Sequence, residues 1–176
     1  NETLPPERVL QLIEEMALAT KQGGELAQGS LAYATSQGDA GRSMSVKGLE
    51  LPAYDPRGAY GMALAYAVAT RGGCHLRAYP ISHEVLRKPV STDRFSFEGK
   101  ARIIKLTEDM NAAVDSLSAC KFVFFAASLE EYAKAFTAVT GQEVTGHDLL
   151  AAGERIDYQE RLINACRGFA AKDDDL

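Results

Sequence analysis

Apolar residues recur at helical spacing in segment after segment of this chain, and glycines punctuate the pattern. Val9, Leu10, Leu12, Ile13, Met16 and Ala17 follow an i, i+3, i+4, i+7 rhythm behind Pro5 and Pro6. Proline in a first helical turn loses no hydrogen bond, because those N–H groups have no intrahelical partner. Gly23-Gly24 is read as the stop, and a second helix is expected from Glu25 to about Ser36, closed by Gly38. Small and apolar residues fill Ala59–Thr70 nearly all round, which predicts a helix packed on several sides, with Asp55 as its cap and Gly72-Gly73 at its end. Lys100 to about Leu117 carries another apolar stripe. Ser128-Leu-Glu-Glu opens a helix to Val139, closed by Gly141, and Thr145 caps a last helix running to about Cys166 or Arg167, with Gly168 beyond it. Cys120–Ala127 is apolar enough for a buried helix, although period alone does not exclude a strand. Residues 39–56 are irregular, with a short extended piece near Met44–Leu51, and residues 74–97 form one long loop of the kind that is often functional. The expected fold is all-α: six to seven helices in an irregular bundle.

At 176 residues, 46% of them hydrophobic and 24% charged, the chain can bury the core of one ordinary domain. Its net charge of −5 argues against nucleic acid, whose binding draws on phosphate neutralisation. The longest strongly apolar run, Phe122–Ala127, is far short of the roughly 20 residues needed to span a bilayer, and no signal peptide opens the chain. Cys74, Cys120 and Cys166 are too few and too separated for a disulfide framework or a CxxC metal motif. A soluble, cytoplasmic protein is expected. Asn1 and the charged end Lys172–Leu176 read as those of a processed chain or an excised piece.

Two clusters can carry chemistry. Arg71-Gly-Gly-Cys-His-Leu-Arg77 places His75, an acid or base near neutral pH, beside Arg77, an anion binder, after two glycines that allow close backbone approach. The plain alternative is a helix end whose dipole Arg71 and His75 neutralise. Asp115-Ser-Leu-Ser-Ala-Cys-Lys121 sets a carboxylate against the dipole of its own helix, and that needs a counterpart such as a ligand with hydrogen-bond donors. Cys120 is either a lone metal ligand or a small buried hydrophobe. Asp55-Pro-Arg-Gly58 is an anion site at a helix start or simply a cap with a surface Arg57. His83 and His147 read as solvated, Cys166 as core, Glu154/Arg155 and Glu160/Arg161 as a salt-bridged exposed face, and Asp173–Asp175 as a solvated tail. No P-loop, GxGxxG, HExxH or GxSxG is present.

Taken in order, Val46-Lys-Gly-Leu-Glu-Leu-Pro-Ala-Tyr-Asp-Pro-Arg-Gly-Ala59, Gly61-Met-Ala-Leu-Ala-Tyr-Ala67 and Arg71-Gly-Gly-Cys-His-Leu-Arg-Ala78 resemble the tungsten-dependent aldehyde:ferredoxin oxidoreductase family. Asp115-Ser-Leu-Ser-Ala-Cys-Lys-Phe122 is similar to that family's second pterin motif, Asp-x-x-Gly-Leu-Cys, with Ser118 for the Gly and Ala119 for the Leu. Gly153-Glu-Arg-Ile156 and the later Asn164, Arg167-Gly-Phe169 and Asp173-Asp174 match its C-terminal helical region, so the resemblance covers essentially the whole chain.

The resemblance implies the C-terminal helical portion (1–176) of a catalytic subunit that oxidises aldehydes to carboxylic acids. Such a subunit holds tungsten, or molybdenum, between two pyranopterins beside a 4Fe–4S cluster and passes electrons to ferredoxin or another electron-transfer protein. By motif, Cys120 becomes a cluster ligand. Asp115, Arg77, Ser118 and Ala119 become pterin contacts, and His75 the proton donor or orienter beside metal and substrate. The family's remaining cluster cysteines, first pterin motif, active-site Glu and β domain precede this region. The chain alone is therefore expected to be inactive, to hold no cofactor tightly, and to have the remainder of the catalytic subunit as its partner. Related subunits that reduce aromatic thioesters share the architecture, but Cys74-His-Leu-Arg77 leans towards the aldehyde branch. The alternative is a stand-alone, non-catalytic helical interaction module derived from the family. A large exposed apolar face favours the first reading and a polar one the second.

Overall fold

The computed structural model describes residues 3–176. The fold is helical, as expected, but among those residues there are eight α-helices rather than six or seven, and one two-stranded hairpin.

Helix α1 (Pro6–Ala17) starts at the proline pair. Gly23-Gly24 does not stop it. Both glycines lie inside a second short helix, α2 (Lys21–Leu26), and a Cβ on Gly23 would overlap the backbone of Glu15. The glycine pair is there for close helix approach. Gly29, at φ +96°, then separates α2 from α3 (Ser30–Ser36), so the single expected helix is two. The apolar stripe of α1 is not core either. Leu10 is 68% and Ile13 57% exposed, while Glu15 is buried against Arg8, Gln11 and Lys21.

Strands β1 (Ser45–Val46) and β2 (Leu49–Glu50) pair antiparallel with Val46 opposite Leu49. Their two-residue turn, Lys47-Gly48, has positive φ at both positions, the geometry that matches strand twist. Asp55 caps a 3₁₀ turn, Pro56–Gly58, rather than the helix after it. Helix α4 (Tyr60–Val68) is capped from a distance: the buried Glu84 carboxylate accepts from Gly61 N at 2.8 Å and Met62 N at 3.1 Å, and Lys100 Nζ neutralises it at 2.6 Å. Val46, Met62, Ala65, Tyr66, Ala78 and Ile104 form the core around α4.

The segment 74–97 is not one open loop. Cys74 and Arg77–Pro80 are buried, and Ile81–Glu84 forms a short helix, α5. Helix α6 (Lys100–Ser116) packs along α8 (Gly146–Cys166), so closely that a Cβ on Gly153 would overlap the Asp109 carbonyl. Helix α7 (Leu129–Thr140) carries the expected capping box, Ser128 N donating to Glu131 at 2.6 Å. Thr145 and Asp148 form a second reciprocal cap. Ala113, Ala133 and Leu149 make a smaller core between α6, α7 and α8.

Two further expectations are corrected. Cys120–Ala127 is not a buried helix: Lys121–Phe125 is a 3₁₀ turn, with Phe122 64% exposed. Cys166 lies exposed on α8 rather than in the core. No described helix is long and apolar enough to cross a membrane.

Candidate functional site

The hairpin and α6 together place the segment that carries His75. Gly72, at φ +96°, and Gly73 press onto β1 and β2: Gly73 N donates to Val46 O at 3.2 Å, and a Cβ on Gly72 would stand 2.5 Å from the same carbonyl. Ahead of them, Asn111 of α6, fully buried, donates to Arg77 O at 3.0 Å and Ala78 O at 3.1 Å. The chain between is thus fixed at both ends.

His75 is half-buried between two phenols, its ring centroid 5.5 Å from Tyr54 and 5.8 Å from Tyr79. The two hydroxyls share a hydrogen bond of 3.0 Å, and Tyr66 Oη donates to the Tyr54 carbonyl at 3.0 Å. Burial lowers the His75 pKa, so its neutral imidazole prevails at neutral pH. Burial, followed by the Tyr54 hydrogen bond, pushes the Tyr79 phenol up to about 12 and keeps it protonated. Tyr79 holds a left-handed backbone, φ +53°, which a bulky residue keeps only where its surroundings dictate it. Its ring also meets Phe125 at 5.7 Å, so the turn after Cys120 closes onto the phenol pair. Sequence reasoning missed Tyr54 and Tyr79. The Tyr inside the Pro-Ala-Tyr-Asp-Pro run was the available signal for the first.

The end of α6 forms the second half of the site. Ser118 N donates to Asp115 O (3.0 Å) and Ala119 N to Val114 O (3.4 Å), with Ser118 at φ +55° between them. That is a Schellman stop with serine in the position that favours glycine. The helix turns sharply there, two residues before the cysteine. Ser118 and Cys120 emerge exposed, with Ala119 half-buried between them.

Asp115, set against its helix dipole, is surrounded by cations: Lys121 Nζ at 2.8 Å, Arg77 at 3.6 Å and Arg71 at 3.7 Å. The Lys121 Nζ is shut off from solvent and, beyond that ion pair, has no acceptor. Burial lowers its pKa against the pull of Asp115. Lys121 was also missed, although it directly follows Cys120 in the motif.

Arg77 is not a free anion binder. Its side chain is 6% exposed and α8 holds it: Nη2 donates to Asp157 at 2.9 Å and to Glu160 at 2.5 Å. Glu160, expected on an exposed face with Arg161, instead turns to Arg77 and Thr70, while Arg161 donates to Val68 O at 2.7 Å and Glu154 faces Lys105 at 3.3 Å. Asp174, expected in a solvated tail, pairs with Lys47 at 2.6 Å and Arg161 at 3.5 Å. Arg57 folds back on Asp55, whose pKa falls to about 2 through that hydrogen-bonded pair, which fits a cap with a surface Arg. His83 is partly buried, its Nδ1 3.1 Å from Val90 O, and His147 is exposed. Among the described residues no group of His, Cys, Asp and Glu is arranged to hold a metal ion.

One region therefore brings together a neutral imidazole in an aromatic niche, an over-compensated carboxylate, and an open thiol. The family model for aldehyde ferredoxin oxidoreductase, domains 2 & 3, matches residues 4–176. A tungsten-containing aldehyde ferredoxin oxidoreductase of Pyrococcus furiosus is 42% identical over 93% of this chain and 27% of its own length. Its namesake in Thermococcus kodakarensis is 41% identical over the same shares, and that of Pyrococcus horikoshii 37% identical over 89% of this chain and 26% of its own. The chain thus spans about a quarter of the length of the curated relatives it matches.

Proposed function

The chain belongs to the aldehyde ferredoxin oxidoreductase family, and on that premise we propose that it is the helical, cofactor-facing part of a tungsten enzyme that oxidises aldehydes to carboxylic acids. The observation that carries this reading is Asp115 ringed by Lys121, Arg77 and Arg71 at the end of α6, with Cys120 exposed five residues on, in the segment that resembles the family's second pterin motif. The relatives' tungsten assigns the family its metal. When bound, a tungsten bis-pyranopterin accepts the two electrons of the oxidation, and a 4Fe–4S cluster passes them on to ferredoxin.

The residues here fit such a group. Lys121 has buried N–H groups with no acceptor beyond Asp115, and a polar heterocycle or its phosphate supplies acceptors. Asp115 would accept from a pterin N–H were the group bound. Ser118 and Ala119 give the pterin an exposed and a half-buried edge to lie against. Cys120, exposed after the Schellman stop, supplies one thiolate to the cluster, and the other ligands come from the remainder of the catalytic subunit.

His75 sits beside the aldehyde. The resemblance implies a proton donor or orienter, but burial lowers the His75 pKa and favours the neutral ring, so in this reading it takes up a proton as the aldehyde and water become an acid. The hydrogen-bonded Tyr54–Tyr79 pair flanks the imidazole and limits its orientation.

The exposed apolar surface also supports the larger enzyme over the stand-alone module. Leu10, Ile13 and Leu18 on and after α1, and Phe122, Val123 and Phe125 beside Cys120, face outward, where the rest of the subunit docks. The test is His75→Ala in the complete subunit. Tungsten and iron contents should stay at wild-type level while kcat/KM for aldehyde falls roughly 10²–10⁴-fold. Wild-type turnover would overturn the assignment of His75.

A further inference from the structure

Arg77 is held from one side and offered from the other. Its Nη2 is fixed by Asp157 at 2.9 Å and Glu160 at 2.5 Å, both on α8 and some eighty residues away in sequence. Its Nη1 is the nitrogen that faces Asp115, at 3.6 Å. The backbone is fixed as well, through Asn111 on the Arg77 and Ala78 carbonyls. Thr70 completes the arrangement by donating to the same Glu160 oxygen that Arg77 uses. A guanidinium has a rigid fork, so anchoring one nitrogen sets the direction of the others. Without α8, Asp115 would face a long side chain with several rotamers.

We infer that Asp157 and Glu160 of α8 are positioning residues, which aim Arg77 at Asp115 and so fix the charge and geometry of the pterin-facing pair. The inference rests on the reading that Arg77 and Asp115 face the cofactor. It assigns a role to a helix that carries no motif residue of its own at the site. Outer partners of cofactor-binding groups typically change affinity or activity by roughly 10–100-fold when removed.

The experiment follows tungsten retention in the complete, cofactor-loaded subunit, measured as metal per protein during prolonged dialysis. The variants are Asp157→Asn, Glu160→Gln, Arg77→Met and the double variant Asp157→Asn/Arg77→Met, with each fold checked by circular dichroism. Asp157→Asn should speed tungsten loss roughly 10–100-fold, with Glu160→Gln moving in the same direction. The double variant should lose metal no faster than Arg77→Met alone, because Asp157 acts only through Arg77.

Wild-type retention by Asp157→Asn, alongside rapid loss from Arg77→Met, would overturn the inference. So would effects that multiply in the double variant, as a merely structural role requires. Wild-type retention by Arg77→Met would instead sink the underlying reading of Arg77 as cofactor-facing. Should Asp157→Asn fail to fold, Glu160→Gln decides: its side chain is about one-third exposed and tolerates an amide, and unchanged retention in it refutes the role of α8.

Discussion

Glu108 is the group whose environment most clearly conflicts with its charge. It lies on α6 at the seam with α8, where burial first, and then the charge of Asp157, push its carboxyl up from 4.5 to about 7. Asp109 adds to the effect, while Arg161 and Arg77 oppose it. A carboxyl that holds its proton more tightly in the folded state stabilises the fold fully below 4.5. That contribution is lost as pH rises from there through about 7. A difference of this size corresponds to about 3 kcal/mol, and because the side chain keeps some contact with solvent, about 2 kcal/mol is the working expectation. Glu108→Gln freezes the neutral form at nearly the same volume. The variant should match wild type within about 0.5 kcal/mol in urea unfolding at pH 4.5, and exceed it by roughly 2 kcal/mol at pH 8. In a thermal melt at pH 8 that gain is roughly 4–8 °C for a chain of this length. Asp157, whose pKa burial also raises, gains as well, because the substitution removes a facing charge. An equal difference at both pH values, or a loss at pH 8, would refute the reasoning.

Four further outcomes follow from local geometry. Ser118→Gly removes a side chain from a left-handed backbone and should raise stability by roughly 0.5–1 kcal/mol, read as a higher melting temperature. Gly153→Ala inserts a methyl group into the Asp109 carbonyl and should cost at least about 3 kcal/mol in denaturant unfolding, since backbone rather than a flexible side chain must move. Lys100→Met strands the buried Glu84 carboxylate at the start of α4 and should cost roughly 3–5 kcal/mol at pH 7. In the 176-residue chain, Cys120 and Cys166 should react rapidly with a thiol reagent while Cys74 waits for unfolding. In the cofactor-loaded subunit Cys120 should be protected as well.

The elements that were legible in the sequence are those whose signals are local. Capping boxes at Ser128 and Thr145 and the long stripe of α6 mark their helices directly. The failures share a cause: a residue whose purpose is a contact distant in the chain looks, in sequence, like a local device. Gly23-Gly24 has the form of a helix stop, but its missing side chains serve Glu15 on the neighbouring helix. Asp55 has the form of a helix cap, but the start of α4 takes its acceptor from Glu84, more than twenty residues on. The stripe of α1 has the form of a core face, but nothing in the described residues covers Leu10 or Ile13.

The site divides along the same line. Cys120, Asp115 and His75 are named by motifs, because family chemistry fixes both their type and their spacing. What surrounds them was not legible. Glu160 belongs to a helix face that reads as solvated and salt-bridged with Arg161, and Asp157 carries no signal of its own. Only the closeness of α6 and α8, which Gly153 permits, brings that face against Arg77. A stripe of charge on a helix is thus ambiguous until its neighbour is known: exposed, it costs and contributes little, but against a buried guanidinium it becomes part of an interior ion-pair network. The structure therefore adds most where the sequence looks least distinctive. Gly153 illustrates this. It belongs to no helix stop and carries no chemistry, but a methyl group there would push α8 away from α6 and with it both anchors of Arg77. Gly153→Ala should therefore weaken tungsten retention in the complete subunit as Asp157→Asn does, and retention that survives in a folded Gly153→Ala protein would mean that Arg77 does not depend on the seam.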